Sequence, residues 1–193
     1  MSKLSHGDLF SLEEYARRRS EFRAKVMAHK QHRRVPIGAH AALYFEDALT
    51  MQYQIQEMLR IERIFEPEGI QDELDVYNPL IPDGSNWKAT FMVEYEDAEE
   101  RRQALARLVG IEKAVWVQVE GCERVHAIAN EDLERETEDK TASVHFMRFE
   151  LSPEMVTAAK QGAALKAGID HPAYRHETAI AEATRQSLLA DLA

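Results

Sequence analysis

A single cysteine, Cys122, stands in 193 residues, so the chain can form neither an internal disulfide nor a cysteine-rich zinc site or iron–sulfur cluster of its own. Glycine and proline are scarce as well, at eight and six residues, about half of average usage. Collagen-like, mucin-like and linker classes are thereby excluded, and few turns and long helices are expected. No run of 18 apolar residues exists, and Met1-Ser2-Lys3-Leu4-Ser5-His6 lacks the apolar stretch of a secretory signal. The expectation is a cytoplasmic protein with no membrane partner. Common catalytic signatures are missing too: there is no Walker loop, G-x-G-x-x-G, G-x-S-x-G, H-E-x-x-H or EF-hand loop.

What is present fits a globular chain. Apolar residues make up 45% and charged residues 30%, and a chain of this length buries about 70% of its unfolded surface, which predicts one domain over residues 1–193. The net charge is −10 but unevenly spread: residues 1–40 carry nine Lys and Arg against four Asp and Glu, and the remainder fifteen against thirty. So acidic a body repels phosphate backbones, and the basic first segment is too small to make nucleic acid the expected partner.

Ser11-Leu12-Glu13-Glu14 opens a helix with Leu12, Tyr15, Arg19, Phe22 and Val26 along one stripe, giving a basic N-terminal helix within residues 1–35. From Ala41 to Phe65 no glycine or proline intervenes, and the apolar density predicts a central buried helix over 40–66. Trp87, Ala89, Phe91 and Val93 alternate with Lys88, Thr90 and Met92, which is a strand; Asp97 caps a helix ending at Gly110. A hairpin over Ala114–Val119 and Glu123–Ala129 turns at Glu120-Gly121, and Ser143–Leu151 alternates as a fourth strand. Residues 131–139 hold six acids and read as a solvated loop or helix turn. Ser152-Pro153 starts a helix expected to run to Gly168, and an alanine-rich final helix follows, completing C-terminal helices over 153–193. The fold class expected is α+β: N-terminal helices, a four-stranded antiparallel or mixed sheet over 86–151 with one crossover helix, and C-terminal helices.

Polar residues inside the apolar second segment are the most unusual feature. Glu46, Gln56, Glu57 and Arg60 interrupt it, and on one helix Glu46 and Glu57 would share a face about 16 Å apart. That span is too long for one ion, so a site would use one of the two carboxylates plus groups from elsewhere; no metal ligand or cofactor is expected, and no catalytic role is given to any residue. The structural alternative is a seam of salt bridges, with Glu57 and Arg60 at i and i+3 partly buried and paired. On the strands, Lys88, Thr90 and Glu94 share a face, whereas His145 and Arg148 point to opposite faces because their separation is odd. The ligand-binding candidates are therefore Glu46, Gln56, Glu57, Arg60, His145 and Arg148.

Phe45-Glu46, Gln54-Ile55-Gln56-Glu57-Met58, Tyr77-Asn78-Pro79-Leu80-Ile81-Pro82, Lys88-Ala89-Thr90 and Lys140-Thr141-Ala142-Ser143-Val144-His145-Phe146-Met147-Arg148-Phe149 carry a resemblance over nearly the whole chain. With Gly110-Ile111-Glu112 and Glu123-Arg124-Val125, the sequence resembles an uncharacterised bacterial domain-of-unknown-function family of about this length. That resemblance implies gene neighbours encoding rubrerythrin and a heterodisulfide-reductase-type iron–sulfur oxidoreductase. The leading expectation is an accessory or interaction protein of a cytoplasmic redox or peroxide-defence system, without catalysis of its own and with one of those proteins as partner. The alternative is a metal- or small-ligand-binding enzyme with a pocket between the central helix and the sheet. A homodimer is also expected, through a stripe of Ala173, Ile180, Ala181, Thr184, Leu188 and Leu192 too thin to hold the last helix to its own core.

Overall fold

The computed structural model describes residues 3–131 and 140–193. Helix α1 (Leu12–Lys30) begins where the Ser11 side chain accepts the Glu14 N–H, and it buries only Tyr15, Phe22 and Val26. Strand β1 (Arg34–Pro36) follows. The expected helix over 40–66 divides: Ala41–Glu46 is strand β2, and helix α2 starts only at Ala48 and runs to Glu62. Asp47 sets the boundary, its carboxylate accepting the Thr50 N–H while the Thr50 hydroxyl accepts the Asp47 N–H. The run Ala41-Ala42-Leu43-Tyr44-Phe45 is apolar on both faces, and such a run carries no periodicity that separates a buried strand from a buried helix. Ile61 and Phe65, near the end of the segment expected to be buried, are exposed.

After α3 (Pro67–Tyr77) come β3 (Asn86–Val93), α4 (Ala98–Arg107), β4 (Val115–Val119), β5 (Arg124–His126), β6 (Ile128–Ala129) and β7 (Val144–Glu150). The C-terminal part is not helical throughout. Helix α5 spans only Pro153–Lys160, β8 (Leu165–His171) and β9 (Tyr174–Ala179) form a hairpin, and α6 is Glu182–Leu189. Gly162, at φ +109°, stops α5 in a conformation that side chains avoid. In β8 Lys166 is exposed while Ala167, Gly168 and Ile169 are buried in succession, and the pairing with β4 overrides the helical reading.

Two antiparallel sheets result instead of one of four strands: a five-stranded sheet in the order β1-β2-β3-β7-β6 and a four-stranded sheet in the order β5-β4-β8-β9. The hairpin β4–β5 therefore belongs with the two strands that were read as helix, not with β3 and β7. One core joins the sheets, with Leu43, Phe45, Trp87, Phe91 and Phe149 from the first and Val115, Val117, Leu165 and Ile169 from the second. Of the stripe offered to a second copy, Ile180, Thr184, Leu188 and Leu192 lie at 7% exposure or less and pack within their own chain, whereas Ala173 and Ala181 are exposed. Among the described residues no helix is long and apolar enough to cross a membrane.

Trp116 lies across Gly168 on the neighbouring strand, with the Arg124 guanidinium 3.8 Å from the indole centre. A Cβ at residue 168 would stand 2.2 Å from the buried indole ring. Gly168→Ala is therefore expected to destabilise the protein by about 1–3 kcal/mol through overpacking, read as a lower denaturation midpoint. An unchanged midpoint would mean that the ring is free to slide.

Candidate functional site

The pleat gives each strand of the first sheet two faces. Leu43, Phe45, Trp87, Ala89, Phe91, His145, Met147 and Phe149 face the core, and the alternate residues face a groove under α1, α2 and α3. Register aligns those outer residues in three rows across β2, β3 and β7: Ala42, Met92 and Val144; Tyr44, Thr90 and Phe146; Glu46, Lys88 and Arg148. Two cavities, of about 810 and 630 Å³, lie on this face and share Tyr77, Leu80 and Phe146 as walls. The larger reaches Met27 and Lys30 of α1 and Met51 and Gln54 of α2; the smaller has Lys88, Arg148, Glu131 and Asp75 as its polar lining.

The charged groups are unequally engaged. Arg148 donates to both Glu131 oxygens at 3.0 and 2.8 Å and to Glu150 at 2.6 Å, which holds the Glu131 carboxyl below the usual carboxylate range. At the other end, Arg34 donates to the Tyr44 hydroxyl and to Glu94, and Tyr44 donates to the same Glu94 carboxylate. Burial, then the hydrogen bond to Glu94, raises the Tyr44 phenol above its ordinary value. Between these clusters, Glu46 is only 7% exposed and, among the described residues, accepts one side-chain hydrogen bond, from the Thr90 hydroxyl at 2.7 Å. Lys88 is half-buried and, among the described residues, makes no hydrogen bond or ion pair, although Glu46 is its partner across the β2–β3 ladder. Burial, then the positive charge of Arg148, lowers the Lys88 ammonium below the ordinary lysine value.

The six sequence candidates therefore separate. Glu46 and Arg148 line the groove. Gln56, Glu57 and Arg60 do not; they sit where α2 meets the N-terminal segment. Gln56, fully buried, accepts the Phe10 N–H at 2.6 Å, and Glu57 accepts Tyr15 at 2.7 Å, Arg19 at 2.7 and 2.9 Å and Arg60 at 3.2 Å. Glu46 is on β2, so it shares no helix face with Glu57. His145 is fully buried on the core side, its ring nitrogens within 3.1 Å of Asn130, Thr141 and Ala142, on the face opposite Arg148 as its odd spacing requires. Among the described residues no three His, Cys, Asp or Glu side chains are grouped to hold a metal ion. Lys88, Thr90, Tyr44 and Phe146 complete the site; the shared face of Lys88 and Thr90 was the signal for the first two, whereas Tyr44 was concealed inside the run read as helix.

The model of a family described as a protein of unknown function (DUF3501) matches residues 3–192. The chain is also similar to a novel protein of unknown function from Burkholderia pseudomallei K96243, known from its crystal structure, with 51% identity, 100% of each chain covered and a TM-score of 0.95. No curated protein matches.

Glu57 fastens α1 to α2, and Arg19 above all, with Tyr15 and Arg60, pushes its carboxyl down to about 2 from 4.5. A carboxyl depressed by folding adds stability that is complete above about pH 4.5 and disappears as the pH falls toward 2. Glu57→Gln should lower stability at neutral pH by about 2 kcal/mol, the scale of hydrogen bonds to a charged group. The difference from wild type should shrink between pH 4.5 and 2 in denaturant titrations. A deficit independent of pH would show that shape, not charge, makes this contact.

Proposed function

Since the chain belongs to the DUF3501 family, whose description assigns no activity, we propose that it acts through the groove on the outer face of its five-stranded sheet, as a binding protein or enzyme for a small, partly apolar molecule. One observation carries the reading. Glu46 and Lys88 stand opposite each other on paired strands, face the same groove, and form no ion pair with one another. Charged groups taken from water without mutual compensation weaken a fold, and they concentrate where a ligand or a reaction uses them. Around them Met51, Met92, Val144, Phe146, Tyr77 and Leu80 make much of the wall apolar, with Lys30, Arg34, Gln31 and Gln54 at its polar parts. A large concave surface of this kind, with a few convergent polar groups, suits an organic ligand of drug-like size.

The accessory role in a redox or peroxide-defence system, with rubrerythrin or an iron–sulfur oxidoreductase as partner, rests on the resemblance alone.

A neutral solvatochromic dye such as Nile red should show saturable fluorescence enhancement with the native chain, at one site. Met92→Trp, which fills the floor of the larger cavity, should weaken that binding by about tenfold, or 1.4 kcal/mol. Absence of saturable binding, or binding indifferent to Met92→Trp in a protein of unchanged circular dichroism, would remove this reading.

A further inference from the structure

We infer that the smaller cavity takes the carboxylate of a monoanionic organic acid on the Lys88 ammonium, with the apolar body of the acid against Phe146, Tyr77 and Leu80. The inference rests on the groove being a ligand site and goes on to name the chemical class of the ligand.

The cation is the starting point. An ammonium offers three donors, and none of those of Lys88 is taken by another described residue. Its two cross-strand neighbours are Glu46 and Arg148. Glu46 already accepts from Thr90, and Arg148 is bound by Glu131 and Glu150, so the guanidinium is neutralised locally and Lys88 is the cation left facing the cavity. A half-buried ammonium gains most from a charge-assisted hydrogen bond to an anion that enters with it out of water.

The surrounding charge sets the valence of that anion. Asp75 and Glu131 line the same cavity, with Glu46 one strand away and Glu150 on Arg148. Lys88 can meet one ligand carboxylate directly, and because the surrounding carboxylates outnumber the cations, a second negative charge on the ligand would find no cation and cost more than the first, which disfavours a phosphate dianion. The remaining walls give the shape of the rest of the ligand: Pro79, Leu80, Tyr77 and Phe146 are apolar or aromatic, and Val76, 63% exposed, stands at the same cavity. Such walls exclude a fully polar acid and favour an aliphatic or aryl-alkyl chain. The lowered proton affinity of Lys88 agrees with this, because binding an anion restores a charge that burial disfavours.

The test uses the full chain and three acids, hexanoate, decanoate and phenylpropionate, each paired with its neutral amide, and phenyl phosphate as the dianion. Calorimetry should show at least one carboxylate bound about tenfold tighter than its amide and tighter than phenyl phosphate. Lys88→Met should abolish that preference while Nile red still binds, and Lys88→Arg should keep it. In the native protein the preference should fade as the pH rises through the Lys88 pKa, with Arg148, Glu131, Lys3 and Asp83 as the charged groups acting on it and Glu46 across the strand. This pH arm stands even where Lys88→Met fails to fold. If Nile red binds but no acid is preferred over its amide, or phenyl phosphate binds best, or the preference survives in Lys88→Met, the carboxylate assignment is overturned and the groove is not. If neither dye nor acid binds, the groove reading itself fails.

Discussion

The Arg33 guanidinium, 2% exposed, is the constraint on which the arrangement of the molecule depends. A charge so deeply buried is tolerated only when its donors are met, and here they are. Nε donates to the Phe45 carbonyl at 2.9 Å, Nη2 to the Glu46 carbonyl at 3.0 Å and to Asp191 at 2.5 Å, and Nη1 to the Ser187 carbonyl and hydroxyl at 3.2 Å. Asp47 lies 3.4 Å from Nη1 and also meets His29 at 2.5 Å. Burial opposes ionisation of Asp47, yet Arg33, the Thr50 N–H and His29 together bring it below the usual carboxylate range. One side chain thus joins the end of the first helix, the junction of β2 with α2, and the last helix. Loss of both carboxylates, Asp191 and Asp47, would leave the buried guanidinium without compensation, which is far more damaging than never having had the pair.

This anchoring also determines the site. By holding the Phe45 and Glu46 carbonyls, Arg33 fixes the last residues of β2, and the pleat then sends Phe45 into the core and Glu46 out to the groove. Asp47 stops the strand there and turns the chain into α2, so that Met51 and Gln54 come back over the outer face of the sheet. The helix layer is held above that face by the Glu57 cluster at one end and by Asn78 at another, where its side chain pairs with the Leu4 backbone in both directions. The groove is what remains between a sheet and a helix layer fastened separately. The residues that fasten are not those that line.

That division explains how much could be read from the sequence. The strand at β3, the Gly121 hairpin and the opposed faces of His145 and Arg148 follow from period and turn chemistry, which are local. Ala41–Glu46 was concealed because a central strand covered on both faces shows no alternation, and β9 because Tyr174–Ala179 is an edge strand with little apolar pattern of its own. Gln56, Glu57 and Arg60 were rightly marked as unusual polar residues on an apolar helix, but sequence does not distinguish a polar group that ties two helices from one that meets a ligand. The opposition of Glu46 to Lys88 was out of reach altogether. It depends on the register between two strands separated by α2 and α3, and register is a tertiary property.

The same register sharpens the meaning of that pair. On the outer face the other two rows are mostly apolar, with Met92, Val144 and Phe146 beside Ala42, Tyr44 and Thr90. Methionine or leucine in place of Lys88 and Glu46 would continue those rows, and apolar replacements of buried charged groups are often neutral or stabilising. The fold therefore draws no ion pair from these two groups, although they are cross-strand partners. Where the molecule does need ions for its structure, it pairs them closely and repeatedly, as at Arg33, Glu57 and Arg148. Lys88 and Glu46 depart from that practice together, on adjacent strands and toward the same space, and it is their joint departure that separates this place from the salt bridges elsewhere in the chain.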